Sequence, residues 1–521
     1  MKRHAFLHVR VTINISSHEQ IFFLFLPAFL IHPGVAAGGQ DDSSKISLSL
    51  RNVVDLAISQ SSSAKYNQNR NVNYYWRWKN YQTRFRPQLV LNGELPNYTH
   101  STTPITQPDG GIEFKQVSIA ESSASLSLQQ PVPFSGAWIW AGSSMYRIQD
   151  FRKSTVDYSG APFSFGFTQP IFAYNYMKWQ KKTEPLVYEE AQKDYIESIE
   201  EISLNAVRRF FRFLQIQTNQ KLARSNLKNS QDNLKIAEKR QELGLISDND
   251  FARIKLSVYN ARKALNKSNM DLKNADFELK SYLQLPQEMQ IDLDVPLNMV
   301  LFKVDLDIAL KEALDNRKET PEFKRRLIEA DRDLVQARKN SGLQATLKGT
   351  YGFSNSADDV GGIYQHPEQQ RTLLVSLSIP IMDWGRSESQ IKLAESRREL
   401  VVFDVQNDQS DFEREVTVQV DRFGLLKDQL TTAEEADKVA ENGYRISLKK
   451  FQNGEISITD LNISLSERES ARRDYISSLE EYWESYYNLR ILTLYDFEKQ
   501  EKIWYGNPML EREEEMPVTD L

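Results

Sequence analysis

The 521 residues include no cysteine, so the chain has no disulfide, no thiolate metal site, no thiol nucleophile and no lipidated N-terminal cysteine. Histidine is scarce. Beyond residue 38 only His100 and His366 remain, far apart and in loop-like sequence. No HExxH, Walker loop or GxGxxG occurs, and the acidic pair Asp358-Asp359 lies in a glycine-bearing loop. The residues therefore show no catalytic constellation, no cofactor site and no metal site. A formal net charge of -6 argues against nucleic acid as a partner. Long apolar runs are missing as well. Ile21–Ile31 is the longest, too short to cross a bilayer as a helix. Lys2, Arg3 and Arg10 precede it and Val35-Ala36-Ala37 follows, which reads as a signal peptide over 1–37 with the mature chain starting at Gly38. An exported chain of this kind that stays membrane-bound must span as a closed β-barrel, where every backbone group finds a partner in lipid.

Proline is absent from 186 to 285 and again from 381 to 507, which predicts very long helices in both halves. The two stretches are related. Pro170-Ile171 returns as Pro380-Ile381, and Gly244, Ile246, Ser247 and Asp250 return as Gly454, Ile456, Ser457 and Asp460, an offset of 210 throughout. Gln180/Gln390, Arg212/Arg422, Phe213/Phe423, Ala261/Ala471, Arg262/Arg472 and Leu279/Leu489 keep the same offset. One unit of strand, long helix, turn and long helix was thus used twice. Upstream, Gln88 aligns with Gln344, an offset of 256 rather than 210. The difference is an insertion of about 46 residues near 110–160, read as an added hairpin that either joins the barrel wall or stands outside the cell.

Ile254, Val258, Ala261, Leu265, Ser268, Leu272, Ala275, Leu279 and Tyr282 step by four and three, the spacing of a coiled-coil seam. Tyr475, Leu479, Tyr482, Tyr486 and Leu489 repeat it. A helix from about 178 to 243 is about 99 Å long, and its copy runs from about 386 to 453. Strand patterns accompany the helices. Phe163, Phe165 and Phe167 alternate with Ser164, Gly166 and Thr168; Leu373, Val375 and Leu377 alternate with Leu374, Ser376 and Ser378. This alternation suits lipid outside and water inside, and it also suits a half-buried soluble sheet.

The repeat, the signal and the phrase Pro380-Ile381-Met382-Asp383-Trp384-Gly385 resemble the TolC family of outer-membrane efflux proteins. In that family a proline, an apolar pair, Asp and Gly mark each strand-to-helix junction. The first copy has Pro170 but ends in Asn175 where the family has glycine. The second mark is the glycine turn at the far end of the long helices, here Phe451-Gln452-Asn453-Gly454-Glu455-Ile456-Ser457. The resemblance implies a mainly α fold: coiled-coil helices forming a periplasmic α-barrel tunnel, plus a transmembrane β-barrel shared by a homotrimer in the outer membrane of a Gram-negative bacterium. It implies a passive exit channel for efflux or type I secretion. The implied partners are outer-membrane lipid, a periplasmic adaptor (membrane fusion) protein and an inner-membrane pump of RND, ABC or MFS type.

On this reading residues 38–85 form an N-terminal helical segment and 86–172 the first strands with their insertion. Residues 173–300 hold the first long helices, turning near 244, and 301–342 a second helical segment. Strands follow over 343–382, long helices over 383–505 turning near 454, and an acidic tail over 506–521. Gly244 and Gly454 suit positive φ at a helix end, with Ser247 and Ser457 as N-caps of the returning helices and Asp250 and Asp460 in the place of a capping-box acid. These residues are either turn and cap alone or something more. In the fuller reading Gly244, Leu245, Ile246, Ser247, Gly454, Ile456 and Ser457 form an adaptor-docking tip. Asp460, Asp250 and Phe451 then line the entrance constriction, where threefold symmetry makes a ring of carboxylates that favours cations. Relatives lock this entrance with aromatic and basic groups; Phe451 and Ile456 carry neither hydroxyl nor guanidinium. The alternative to a channel is a soluble periplasmic coiled-coil adaptor or scaffold.

Overall fold

The computed structural model describes residues 45–296 and 302–506. The signal peptide assigned to 1–37 and all but the first residue of the tail assigned to 506–521 lie outside the described residues. The chain opens with β1 (Lys45–Leu48), α1 (Leu50–Gln60) and α2 (Ser62–Arg84), then four strands: β2 (Gln88–Thr106), β3 (Ile112–Val132), β4 (Ala137–Asp150) and β5 (Thr155–Ile171). The long helices α3 (Tyr176–Glu242) and α4 (Asp248–Leu283) follow, then β6 (Gln290–Leu293), α5 (Leu306–Asn316) and α6 (Glu319–Asn340). The second half repeats the plan with β7 (Gln344–Ala357), β8 (Glu368–Ser378), α7 (Arg386–Asn453) and α8 (Ile458–Thr493), and ends in the short strands β9 (Tyr495–Asp496) and β10 (Glu501–Lys502). The N-terminal segment expected to be helical also carries β1, which pairs in parallel with β6.

At 67 and 68 residues, α3 and α7 are each about 100 Å long. A helix in a protein draws most of its stability from the apolar seam it buries. On α7 that seam is Val416, Phe423, Leu430, Tyr444 and Phe451, all buried and stepping in sevens or a multiple of seven. Asp437 occupies the missing step. Along α4, Ile254, Val258, Ala275 and Leu279 are buried, and Tyr475, Leu479, Tyr482, Tyr486 and Leu489 do the same on α8. The four helices pack as a row in the order α4–α3–α8–α7. Midway along α3 and α7, where α4 and α8 end, lies the main core, in which α1, α3, α4, α5, α7 and α8 meet. Phe423 sits there among Phe302, Tyr482 and Tyr486. Arg490 of α8 forks onto the fully buried Glu200 of α3 at 2.8 Å on both oxygens. Such a pair locks α3 to α8, because removing either partner would strand a charge in the interior.

β9 pairs with β10, and the other six strands form one antiparallel sheet in the order β2-β3-β4-β5-β7-β8. It does not close on itself in one chain. Its two edges, β2 and β8, have one neighbour each among the described residues.

Candidate functional site

The far end of the helix row is built by two turns that the duplication copied. At the first, Gly244 takes φ +69° and the Leu245 N–H donates to Arg240 O at 2.8 Å, the six-to-one bond that closes a helix C-terminus. The Ser247 hydroxyl accepts the Asp250 N–H at 3.1 Å and donates to the Asp250 carboxylate at 2.7 Å. At the second, Gly454 takes φ +85° and the Glu455 N–H donates to Lys450 O at 2.9 Å. Here the capping box is complete: Ser457 Oγ accepts the Asp460 N–H at 3.2 Å, and Asp460 Oδ2 accepts the Ser457 N–H at 3.0 Å. The Ser457 hydroxyl and then its amide hold the exposed Asp460 carboxyl below its ordinary range. The two turns are brought together by Arg240, whose guanidinium donates to Gln452 O at 2.9 Å.

Beneath the turns lies a separate small core of Ala237, Ile254, Tyr444, Phe451, Ile458 and Leu461. This corrects the assignment of Phe451 to the entrance constriction. Phe451 is the last step of the α7 heptad row, so its ring points into the tip core and is buried. Ile246 and Ile456 are half-buried against the same core. Of the three apolar tip residues only Leu245 is exposed, together with its neighbour Leu243. Asp250 and Asp460 each bond their own N-cap serine, and no contact between the two turns involves either of them among the described residues.

Between the tip core and the main core stands a polar layer that the sequence pattern did not reveal. Asp437 pairs with Arg472 at 2.9 Å. Buried Arg468 lies over the Tyr444 ring at 4.2 Å and reaches Asn226 of α3 at 3.1 Å. Asn229 donates to the Tyr444 hydroxyl at 3.0 Å. The only visible signal was an acid in the α7 apolar row.

At the opposite end, each strand runs into a long helix. Pro170 is the penultimate residue of β5, opposite Thr346. Pro380 stands just past β8, where its missing N–H breaks no ladder bond. Asp383 accepts the Gly385 N–H at 3.1 Å and the Ser387 N–H at 2.9 Å, and Gly385 takes φ +85° to turn the chain into α7. Ile381 and Trp384 beside it are almost fully exposed, and Met382 is exposed.

The sheet has two unlike faces, and the pairing register sorts them. Leu91 faces Leu126, Leu128 faces Ala141, Ile139 faces Phe167, Phe165 faces Tyr351 and Leu347 faces Val375. Directly opposed residues share a face, so this face is an apolar band across all six strands. Leu91, Leu126, Leu128, Phe165 and Leu373 on it are exposed in the single chain, and Phe167 and Leu347 are half-buried. The other face carries Asn92, Ser125, Ser127, Ser144, Ser164, Thr350 and Ser376 in the intervening register. Lipid on one side and water on the other accounts for both.

Both ends of the helix row also carry unsatisfied apolar stripes. On α7, Val418, Leu425, Val439 and Ile446 are exposed, two residues on from the buried row and so on a different face. On α4 the matching residues are Leu256, Tyr259, Met270 and Phe277. Among the described residues no helix is long and apolar enough to cross a membrane, and no cluster of acidic or histidine side chains could hold a metal ion.

A sequence model of a family described as outer membrane efflux protein matches residues 141–283 and 309–493, which is 143 plus 185 of the 521 residues. No curated protein sequence matches the chain. Among solved structures, the Campylobacter jejuni CmeC outer membrane channel aligns at 14% identity over 89% of both chains with a TM-score of 0.60. A membrane protein from Pseudomonas aeruginosa aligns at 13% identity over 85% of this chain and 90% of its own, also at 0.60. The outer membrane protein VceC from Vibrio cholerae aligns at 13% over 85% and 95%, at 0.58. Identities this low establish a shared fold.

Proposed function

Since this chain belongs to the outer membrane efflux protein family, and is therefore an outer-membrane efflux channel reaching into the periplasm and not an enzyme, we propose that three copies close into one duct whose periplasmic tip opens when an adaptor protein engages it. The observation that carries this reading is that the protomer is unfinished at matching places. The sheet ends in two free strand edges, and the helix row ends in two exposed apolar stripes. Joining β8 of one copy to β2 of the next, and α7 of one copy to α4 of the next, satisfies all four at once. A membrane barrel has no other way to satisfy edge groups in lipid.

The tip is the part that an adaptor can reach. Leu243 and Leu245 project there, while Asp460, held ionised by its cap, supplies a carboxylate to the entrance in each copy. Asp250 is a second contributor. The adaptor would act on the tip core below its polar layer, and through the adaptor the duct would serve an inner-membrane pump. The soluble-scaffold alternative gives no account of an apolar band spread over six strands.

The test is the detergent requirement and native mass of the mature protein. A detergent-dependent particle of three protomer masses is expected. A water-soluble monomer or dimer would overturn the proposal.

A further inference from the structure

We propose that the inserted pair β3 and β4 is part of the pore wall, so that the membrane barrel has eighteen strands and an exit half again as wide as the duplication alone would build. The inference rests on the trimeric reading above. The two copies of the repeat account for β2, β5, β7 and β8, four strands per chain and twelve in a trimer. The inserted pair raises this to six per chain and three times six, eighteen, in the trimer.

Four observations put the pair in the wall. It is hydrogen-bonded on both sides along its length, from Gln88↔Gln129 through Leu128↔Ala141 to Trp138↔Thr168, with one register shift on each outer side, at Glu94/Asn97 and at Gly142/Ser144. A hairpin standing outside the barrel would instead leave β2 paired to β5. Along β3 the side chains also keep the wall's alternation, with Leu126 and Leu128 on the apolar face and Ser125 and Ser127 on the polar one; on β4 Ile139 joins the apolar face, while Trp138 and Trp140 share the other face with Ser144. Packing at β4 is close: a Cβ on Gly142 would stand 2.4 Å from Leu126 O and 2.9 Å from Ser127 Cα. A glycine admitted so tightly beside a bulge, here the register shift between Gly142 and Ser144, is how a wall bends.

The fourth observation concerns Asn175, where the first copy departs from the glycine of the second. Its side chain accepts the Lys178 N–H at 3.2 Å, capping α3, and donates to Pro133 O at 2.9 Å in the turn between β3 and β4. Gln169 of β5 donates to Ser135 O of the same turn at 2.9 Å, and Gln130 of β3 donates to Phe85 O at the end of α2 at 2.6 Å. The inserted turn is therefore bolted to the place where strand becomes tunnel helix. The second copy has no such turn to hold and keeps Gly385. The Asn-for-Gly difference between the repeats is the mark of the insertion.

Strands about 4.8 Å apart and tilted about 40° give a backbone diameter of about 36 Å for eighteen strands, against about 24 Å for twelve. A barrel of this class encloses open water, so control of what passes falls to the periplasmic tip.

The test exploits the absence of cysteine. Single nitroxides are placed at Leu128→Cys and Ser127→Cys in the inserted pair, and at Leu373→Cys and Ser376→Cys in β8 as wall references, in the full chain reconstituted in lipid. Accessibility to oxygen, which concentrates in lipid, is compared with that to a water-soluble nickel complex, and the native mass of each preparation is measured. The expected result is oxygen preference at 128 and 373 and nickel preference at 127 and 376. Nickel preference at both 127 and 128, with the 373/376 contrast intact in a trimer, overturns the eighteen-strand wall and leaves the channel standing. Loss of the contrast at 373/376, or a particle that is not a trimer, overturns the channel reading itself.

Discussion

Replacing Leu425 by Asp should weaken the closed cylinder without unfolding the protomer. In the single chain Leu425 is 72% exposed, while its neighbour Leu426 is buried in the α7–α8 seam. Full burial of a leucine side chain is worth about 1.5–3 kcal/mol, so covering the exposed share of Leu425 contributes about 1–2 kcal/mol per seam. Threefold symmetry multiplies this to about 3–6 kcal/mol per trimer, and a carboxylate forced into the seam adds its own desolvation cost. The assay is the temperature at which the detergent-solubilised trimer dissociates, followed by native mass, with far-ultraviolet circular dichroism to report the helices separately. Leu425→Asp should dissociate well below wild type with its helicity intact at low temperature. Leu425→Ala should fall between, and Asp428→Ala, one turn away and exposed, should stay within about 0.5 kcal/mol of wild type. A Leu425→Asp trimer as heat-resistant as wild type would refute the assignment of this stripe to the closing seam.

Two further outcomes follow from the tip and the helix row. Asp460→Ala should reduce the cation preference of the conducting trimer in bilayer recordings, and unchanged preference would remove Asp460 from the entrance. Because its capping serine lowers the Asp460 carboxyl, the charge is present above the ordinary carboxylate range and is lost only as pH falls through the lowered value. Ser457→Ala should therefore move that loss to higher pH, and should cost α8 about 1 kcal/mol as a lost N-cap. Farther up α8, burial and then the neighbouring Glu484 and Glu481, opposed by Arg208, push the Glu480 carboxyl up to about 7. An acid raised in the folded state binds its proton more tightly there than in the unfolded chain, so its contribution to stability is present at low pH and lost as pH rises from about 4.3 to about 7. Glu480→Gln should flatten that decline in thermal melts between pH 5 and 8, and an unchanged slope would discharge Glu480 from it.

Neither of these pH effects was legible in the sequence. A serine three residues before an acid announces a cap, and that much was readable at Ser457 and Asp460. How far the cap shifts the acid depends on an oxygen–oxygen approach that only the folded turn supplies. Phe451 shows the opposite failure. Beside a glycine turn it looked like an entrance residue, yet it belongs to the heptad row running back through Tyr444 to Val416, and that period outranks proximity to the turn. The exposed stripe on α7 was readable in principle from a second seven-residue spacing, Val418 to Leu425 and Val439 to Ile446, offset by two from the first.

The linear pattern of residues by itself determined the duplication, the length of the helices, the positions of both turns with their caps, and the presence of alternating strands. These are local properties, set by backbone sterics, side-chain period and capping chemistry, and they are complete within a few consecutive residues. The tertiary structure decided what the pattern left open. It set the inserted hairpin between β2 and β5, turned Phe451 inward, laid a polar layer across the tunnel at Asp437 and Arg468, and tied Asn175 to a turn some forty residues before it. Each of these is a contact between segments distant along the chain. Which of two chemically equal partners wins such a contact depends on what else is already packed against it, and no period or composition records that.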